Sequence, residues 1–175
     1  AEVSRLDRLV ADLLVVSGRR TGVKVETDLR AFLAQRVELV SAWAAERDVR
    51  CDAAGEGSAL IDRDGVTRAV DNLLRNAVEA SPRGARVEAA VRAIDESRVA
   101  ITVTDTGEGV PEARVKELFE PFFTTKSEGT GLGLALSRAV AEAHGGSLVY
   151  RREGPRTVFE ITLPRRGTDG DGAGG

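Results

Sequence analysis

Two alternating runs constrain this chain most: "ARVEAAVRAI" (85–94) and "RVAITVTD" (98–105), separated by a tight polar turn at Asp95–Ser97. They read as two long neighbouring strands, because strand side chains point alternately to opposite faces. A sheet built on them must bury a face, and amphipathic helices are at hand to cover it. One spans Leu29 to about Arg47, with Phe32, Leu33, Val37, Leu39, Val40 and Trp43 along an apolar stripe. A second, residues 64–80, brings Val66, Val70, Leu73, Ala77 and Ala80 onto one side at 100° per residue. A third runs from about Leu132 to His144. "VKVETD" alternates like a short strand, "VRCDA" and "SALID" read as strands around the turn 54–57, and Pro111 begins a short helix. "GSLVYRR" and "TVFEITLP" close as a hairpin. The expectation is an α+β two-layer sandwich, helices on one face of a largely antiparallel sheet.

The 175 residues suffice for one domain with a real core plus an appendage. Net charge is −3 with alternating signs, and no basic block points to nucleic acid or an anionic membrane. Apolar runs such as "LLVV" (13–16) fall far short of the roughly 20 residues that span a bilayer. No signal-peptide pattern opens the chain, so a cytoplasmic location is expected, from a parent protein that can itself be membrane-anchored. One Cys (Cys51) and one His (His144) leave no disulfide and no ordinary zinc site.

Residues 1–18 space Val3, Leu6, Val10 and Leu13 as a heptad seam ending at Gly18, like the last turns of a longer helix. Residues 19–24 read as a linker, 25–166 as the main domain, and 167–175, "GTDGDGAGG", as a disordered tail.

Three motifs carry chemistry. On the helix 64–80, Asn72 and Asn76 sit one turn apart at the edge of the core stripe, lining a boundary with something polar. From this helix alone, amides capping nearby backbone groups explain them equally well. "DTGEG", Asp105–Gly109, follows a strand directly; a carboxylate there can accept a directional hydrogen bond from an exocyclic amine, and Gly107 and Gly109 allow close approach. The same pattern is also an ordinary strand-to-loop turn. "GTGLGL", Gly129–Leu134, opens a helix, where successive backbone N–H groups suit phosphate. It is neither a Rossmann fingerprint nor a P-loop.

Taken together and in this order, the Asn-bearing helix, Asp-x-Gly-x-Gly, "FEPFFTTK" and Gly-x-Gly-Leu-Gly resemble the ATP-binding domain of sensor histidine kinases. The wider fold is shared with DNA gyrase, Hsp90 and MutL. The likeness runs from about Val3 to Pro164, and "PFFTTK", "GTGLGL" and "AHGG" further resemble the nitrogen-regulation subgroup. It implies a Bergerat-type fold, about three main helices on a mixed, largely antiparallel five-stranded sheet. Residues 1–18 would then end the dimerisation and phosphoacceptor hairpin.

The resemblance also implies roles. Asp105 would take the adenine amino group and Thr157 would support that contact. Asn76 would offer its amide oxygen to Mg²⁺, with Asn72 facing the same polyphosphate. Gly107, Gly109, Gly129, Thr130, Gly131, Leu132 and Gly133 would line the nucleotide and its lid. Lys126 would neutralise the terminal phosphate, and Phe119, Phe122 and Phe123 would anchor the lid. Asn72 and Lys126 are thus the expected catalytic pair, with ATP and Mg²⁺ as cofactors. Expected partners are ATP or ADP, the kinase's own hairpin and a response regulator, with no nucleic acid and no membrane contact.

Two departures qualify this. Many relatives carry Lys three residues after the metal-binding Asn, where this chain has Glu79. Residues 1–18, the expected last turns of the acceptor hairpin, hold no His, and His144 in "AEAHGG" matches a structural position. Position 72 discriminates further. Relatives that hydrolyse ATP or phosphorylate serine place a general-base Glu there, whereas a neutral imidazole acceptor needs no base. Asn72 therefore favours transfer to histidine over ATPase or serine-kinase activity. The alternative is a non-catalytic module that senses nucleotide or docks a partner through the same pocket.

Overall fold

The computed structural model describes residues 22–124 and 129–165. The heptad segment 1–18, residues 19–21 of the 19–24 linker, Lys126 and the tail 167–175 lie outside the described residues.

β1 (Val25–Asp28) leads directly into α1 (Leu29–Ala45), whose first turn is capped by Asp28 accepting from the Ala31 N–H at 3.0 Å. Asp48, at φ 58°, turns the chain out of α1 into β2 (Arg50–Gly55). β3 (Ser58–Ile61) follows, then α2 (Arg63–Ala80), capped by Asp62 through the N–H groups of Asp64 and Gly65. β4 (Arg86–Ala93) and β5 (Arg98–Asp105) form the expected long antiparallel pair. A 3₁₀ turn (Glu112–Glu117) precedes α3 (Gly133–Ala143), and β6 (Ser147–Glu153) and β7 (Arg156–Pro164) close the domain as a hairpin.

The main sheet is five-stranded, order β2-β4-β5-β7-β6, antiparallel except for the β2–β4 pair. The "VRCDA"–"SALID" hairpin suggested by the turn 54–57 does not form. β2 pairs in parallel with β4, and β3 pairs with β1 in a separate two-stranded sheet. Parallel neighbours need a long crossover, and α2 supplies it, so the chain must leave the sheet after β2.

All three helices pack on one face of the sheet. Leu29, Leu33, Leu73, Leu74, Leu136, Ile101, Ile161 and Leu163 are among the fully covered side chains of that interface. α2 buries seven residues, Val66, Ala69, Val70, Leu73, Leu74, Ala77 and Val78, because it touches α1, α3 and two strands at once. Ala80 is exposed rather than part of the stripe, and Leu39 of α1 is 63% exposed. Leu39 lies about 200° round the helix from the buried Val37, and Ala80 is the last residue of α2.

Candidate nucleotide-binding site

Strand periodicity places the first candidate. Val99, Ile101 and Val103 point inward from β5, and Asp105 is the next residue on the same face. A carboxylate thus occupies a core position at the strand's end, only 2% exposed. Its Oδ1 accepts the Gly107 N–H at 2.7 Å. Thr157 of β7 stands directly opposite, also buried. Burial pushes the Asp105 carboxyl above the ordinary carboxylate range, against the lowering pull of the Gly107 N–H, the Arg152 guanidinium and Thr157.

Gly107 sits where any side chain would collide with α2. A Cβ there would lie 2.4 Å from the Ala80 carbonyl oxygen. The loop after β5 is therefore pressed onto the C-terminal end of α2. Its far end is held by β6: the Val110 N–H donates to the Tyr150 hydroxyl at 3.0 Å, and Gly109 (φ 77°) lies between.

The start of α3 reaches the same helix further back. Asn72 Nδ2 donates to the Gly133 carbonyl at 3.2 Å, and that carbonyl also accepts from Ser137 Oγ at 2.9 Å. Asn72 thus caps backbone, the plainer of its two readings, while also facing the start of α3. Leu132 is the N-cap of α3 and makes no side-chain capping bond, unlike Asp28 and Asp62 on the other helices. The first-turn N–H groups of α3 are thereby left without the side-chain oxygen that usually takes them. Thr130 Oγ1 accepts the Leu132 N–H at 3.4 Å, and Gly129 precedes it in irregular backbone.

Gly131 (φ 69°) packs on Phe122, whose N–H donates to the Gly131 carbonyl at 3.0 Å. Phe119 and Phe123 pack against the core as expected, but Phe122 is 66% exposed at φ 67° and contributes backbone rather than an anchoring ring. Asn76 lies on α2 midway between the two contacts, half-buried. From Asn72 to Ala80 the helix advances about 12 Å at 1.5 Å per residue. The carboxylate–hydroxyl pair lies toward one end of that span, the uncapped helix terminus at the other.

His144 is apart from this site. Its Nε2 accepts the Asp62 N–H at 2.9 Å, so Nδ1 carries the hydrogen and donates it to the Val140 carbonyl at 2.7 Å. It joins the end of α3 to the start of α2.

The family model described as histidine kinase-, DNA gyrase B- and HSP90-like ATPase matches residues 61–167. The chain belongs to that family. The sensor histidine kinase ZraS of Salmonella typhimurium is 35% identical over 167 residues, 93% of this chain and 36% of its own length. The solved mycobacterial sensor histidine kinase MprB superposes with TM-score 0.73 at 32% identity, covering 83% of this chain and 100% of that one. Full-length ShkA in complex with AMPPNP gives TM-score 0.75 at 29% identity, over 90% of this chain and 35% of that protein. The chain thus spans about a third of ZraS and ShkA. By family and by these relatives it is a domain of the histidine-kinase ATPase kind, with the fold the sequence led us to expect.

Sequence reading missed Arg152 and Tyr150. Both alternate with Leu148 on one face of β6, two residues apart, and both reach the loop after β5, although Arg152 is itself exposed. The signal was available: Glu153 pairs with Arg156 around the two-residue turn Gly154–Pro155, which puts Arg152 opposite Thr157.

Proposed function

We propose that this chain is the catalytic ATP-binding domain of a two-component sensor histidine kinase. It binds Mg·ATP and delivers the γ-phosphoryl group to a histidine on a helical hairpin. The observation that carries this reading is the arrangement along α2: a buried carboxylate with its hydroxyl partner at one end, and a helix N-terminus without a side-chain cap against its middle. An adenine nucleotide laid along α2 would place its exocyclic amine on Asp105 and its phosphates toward the N–H groups at Gly131–Gly133.

Asp105 accepts from the adenine amine, and guanine, with a carbonyl at that position, meets an acceptor instead. Asn72 holds the start of α3 against α2 and has no basic oxygen with which to deprotonate water. The accepting imidazole uses its own lone pair on the γ-phosphorus while the bond to the β-phosphate oxygen breaks, so positioning and charge neutralisation suffice. Mg²⁺ fits as an ion bound largely through the phosphates: among the described residues no group of three His, Cys, Asp or Glu side chains could hold a metal by itself. Asn76 is the residue we assign to it, through its amide oxygen, and with Glu79 in place of a lysine the charge on the terminal phosphate falls to Lys126. The phosphohistidine would be read by a response regulator. No helix among the described residues is long and apolar enough to cross a membrane, and we place the domain in the cytoplasm.

Calorimetry with ADP or ATP plus Mg²⁺ tests the site. Asp105→Asn should weaken binding at least tenfold, and equal affinity in the two proteins would sink the adenine assignment. A separately supplied His-bearing hairpin should acquire acid-labile phosphate from ATP, and less of it with Asn76→Ala.

A further inference from the structure

We infer that Arg152 is the residue that fixes the direction of the hydrogen bonds around Asp105 and so enforces adenine over guanine; this deepens, and rests on, the reading of Asp105 as the base contact. The register is the starting point. Asp105 of β5 is opposite Thr157 of β7, and Thr157 is opposite Arg152 of β6, so the three side chains form one row across three strands. Arg152 Nη1 has two hydrogens, and each has a partner: the Thr157 hydroxyl oxygen at 2.7 Å and the Gly107 carbonyl at 2.7 Å.

A guanidinium can only donate. When it donates to the Thr157 oxygen, the single hydroxyl hydrogen is left for the residue opposite on β5, Asp105, whose carboxyl Thr157 pulls downward. The Gly107 N–H donates to the same carboxylate from the other side. Gly107 is thus bonded through both backbone groups, its N–H to Asp105 and its carbonyl to Arg152. Every bond in the ring runs from Arg152 toward Asp105, which keeps the carboxylate an acceptor facing the base. A ligand amine completes that pattern, and a ligand carbonyl opposes it.

Without the guanidinium the Thr157 hydroxyl is free to rotate, and the Gly107 carbonyl loses its partner. The Gly107 N–H then remains the one fixed donor holding the carboxylate against a proton of its own, and a protonated carboxyl can donate to a guanine carbonyl. Arg152 therefore acts as a positioning residue: it works through Thr157 and Gly107. Tyr150 holds the other end of the same loop and has no part in the donor order.

The experiment titrates ADP and GDP, with Mg²⁺, into wild type, Arg152→Leu, Arg152→Lys and Asp105→Asn, and records the melting temperature of each nucleotide-free protein. Arg152→Leu should lose about tenfold in ADP affinity and at least tenfold in the ADP-to-GDP ratio. Arg152→Lys, still a pure donor, should recover most of the ratio. In a Thr157→Val background the effect of Arg152→Leu on the ratio should largely vanish, which a general loss of structure would not produce. Wild-type affinity and ratio in Arg152→Leu, alongside their loss in Asp105→Asn, would overturn this inference and leave the nucleotide site standing. Failure of wild type to bind ADP, or equal binding by Asp105→Asn, would overturn the site assignment and this inference with it. If the leucine variant melts below the titration temperature, Arg152→Gln takes its place. Glutamine can accept as well as donate, so a preserved ratio there counts against us.

Discussion

Asp105 shows what a buried carboxylate costs its own fold. A carboxylate at a position where β5 otherwise buries Val99, Ile101 and Val103 is held against its desolvation by the Gly107 N–H, the Arg152 charge and Thr157 together. Because burial raises its folded-state pKa above the ordinary 3.8, the folded domain holds that proton more tightly than the unfolded chain does. Its contribution to stability is therefore best below pH 3.8 and is lost as pH rises through the folded value. Asp105→Asn should accordingly melt higher than wild type at neutral pH, with the gap closing as pH falls toward the ordinary carboxylate range. Thermal denaturation across that range checks it, and a variant that melts lower at pH 7 would contradict the argument. The expected gain in stability accompanies a loss of nucleotide binding, as is common where a site is built from strained or buried charge.

At the scale of elements, α3 is fastened to α2 along its whole length. Asn72 takes the Gly133 carbonyl at its start, Ser137 reaches the Ala69 carbonyl at 3.3 Å in its middle, and His144 accepts from Asp62 at its end. The glycine-rich segment before Gly133 thus joins the domain through a helix that is itself fixed at three points. Burial pushes the His144 imidazole below the ordinary 6.5, with Lys24 adding to the shift, so the folded form is neutral. Its stabilising part is complete above pH 6.5 and is lost as pH falls from there through the folded value. His144→Asn should therefore show a flatter melting temperature between about pH 7 and 5 than wild type. His144→Ala, which strands a buried N–H and a buried carbonyl, should cost about 2–3 kcal/mol in chemical denaturation.

For the molecule as a whole, ligand binding and stability should be one measurement. A nucleotide that binds only the folded domain stabilises it by about 2.7 kcal/mol at a hundred times its Kd. Wild type should melt several degrees higher with saturating ADP and Mg²⁺, and Asp105→Asn, though more stable alone, should gain little. An equal shift in both proteins would place the nucleotide elsewhere on the surface.

Much of this was readable in advance because it rests on local periodicity. Alternation set the strands β4 and β5, and with them the inward direction of Asp105. The 3.6-residue period set α2, and the glycines before residue 133 set the start of α3. Pairing between distant segments was not readable. "AGEG" looks the same whether the chain reverses into a hairpin or departs for another sheet, and only the packing of α2 as a crossover makes β2 run parallel to β4. Phe122 looks like core until the backbone of Gly131 occupies the place beside it. Arg152 looks like a solvated charge until three strands align. Its partners are five and forty-five residues away along the chain, and hydrogen-bond direction among three side chains exists only once the sheet has brought them into one row. The sequence by itself determined which elements form and which chemical groups they carry. The tertiary structure decided which of those groups touch, because contacts between distant residues follow from packing rather than from local propensity.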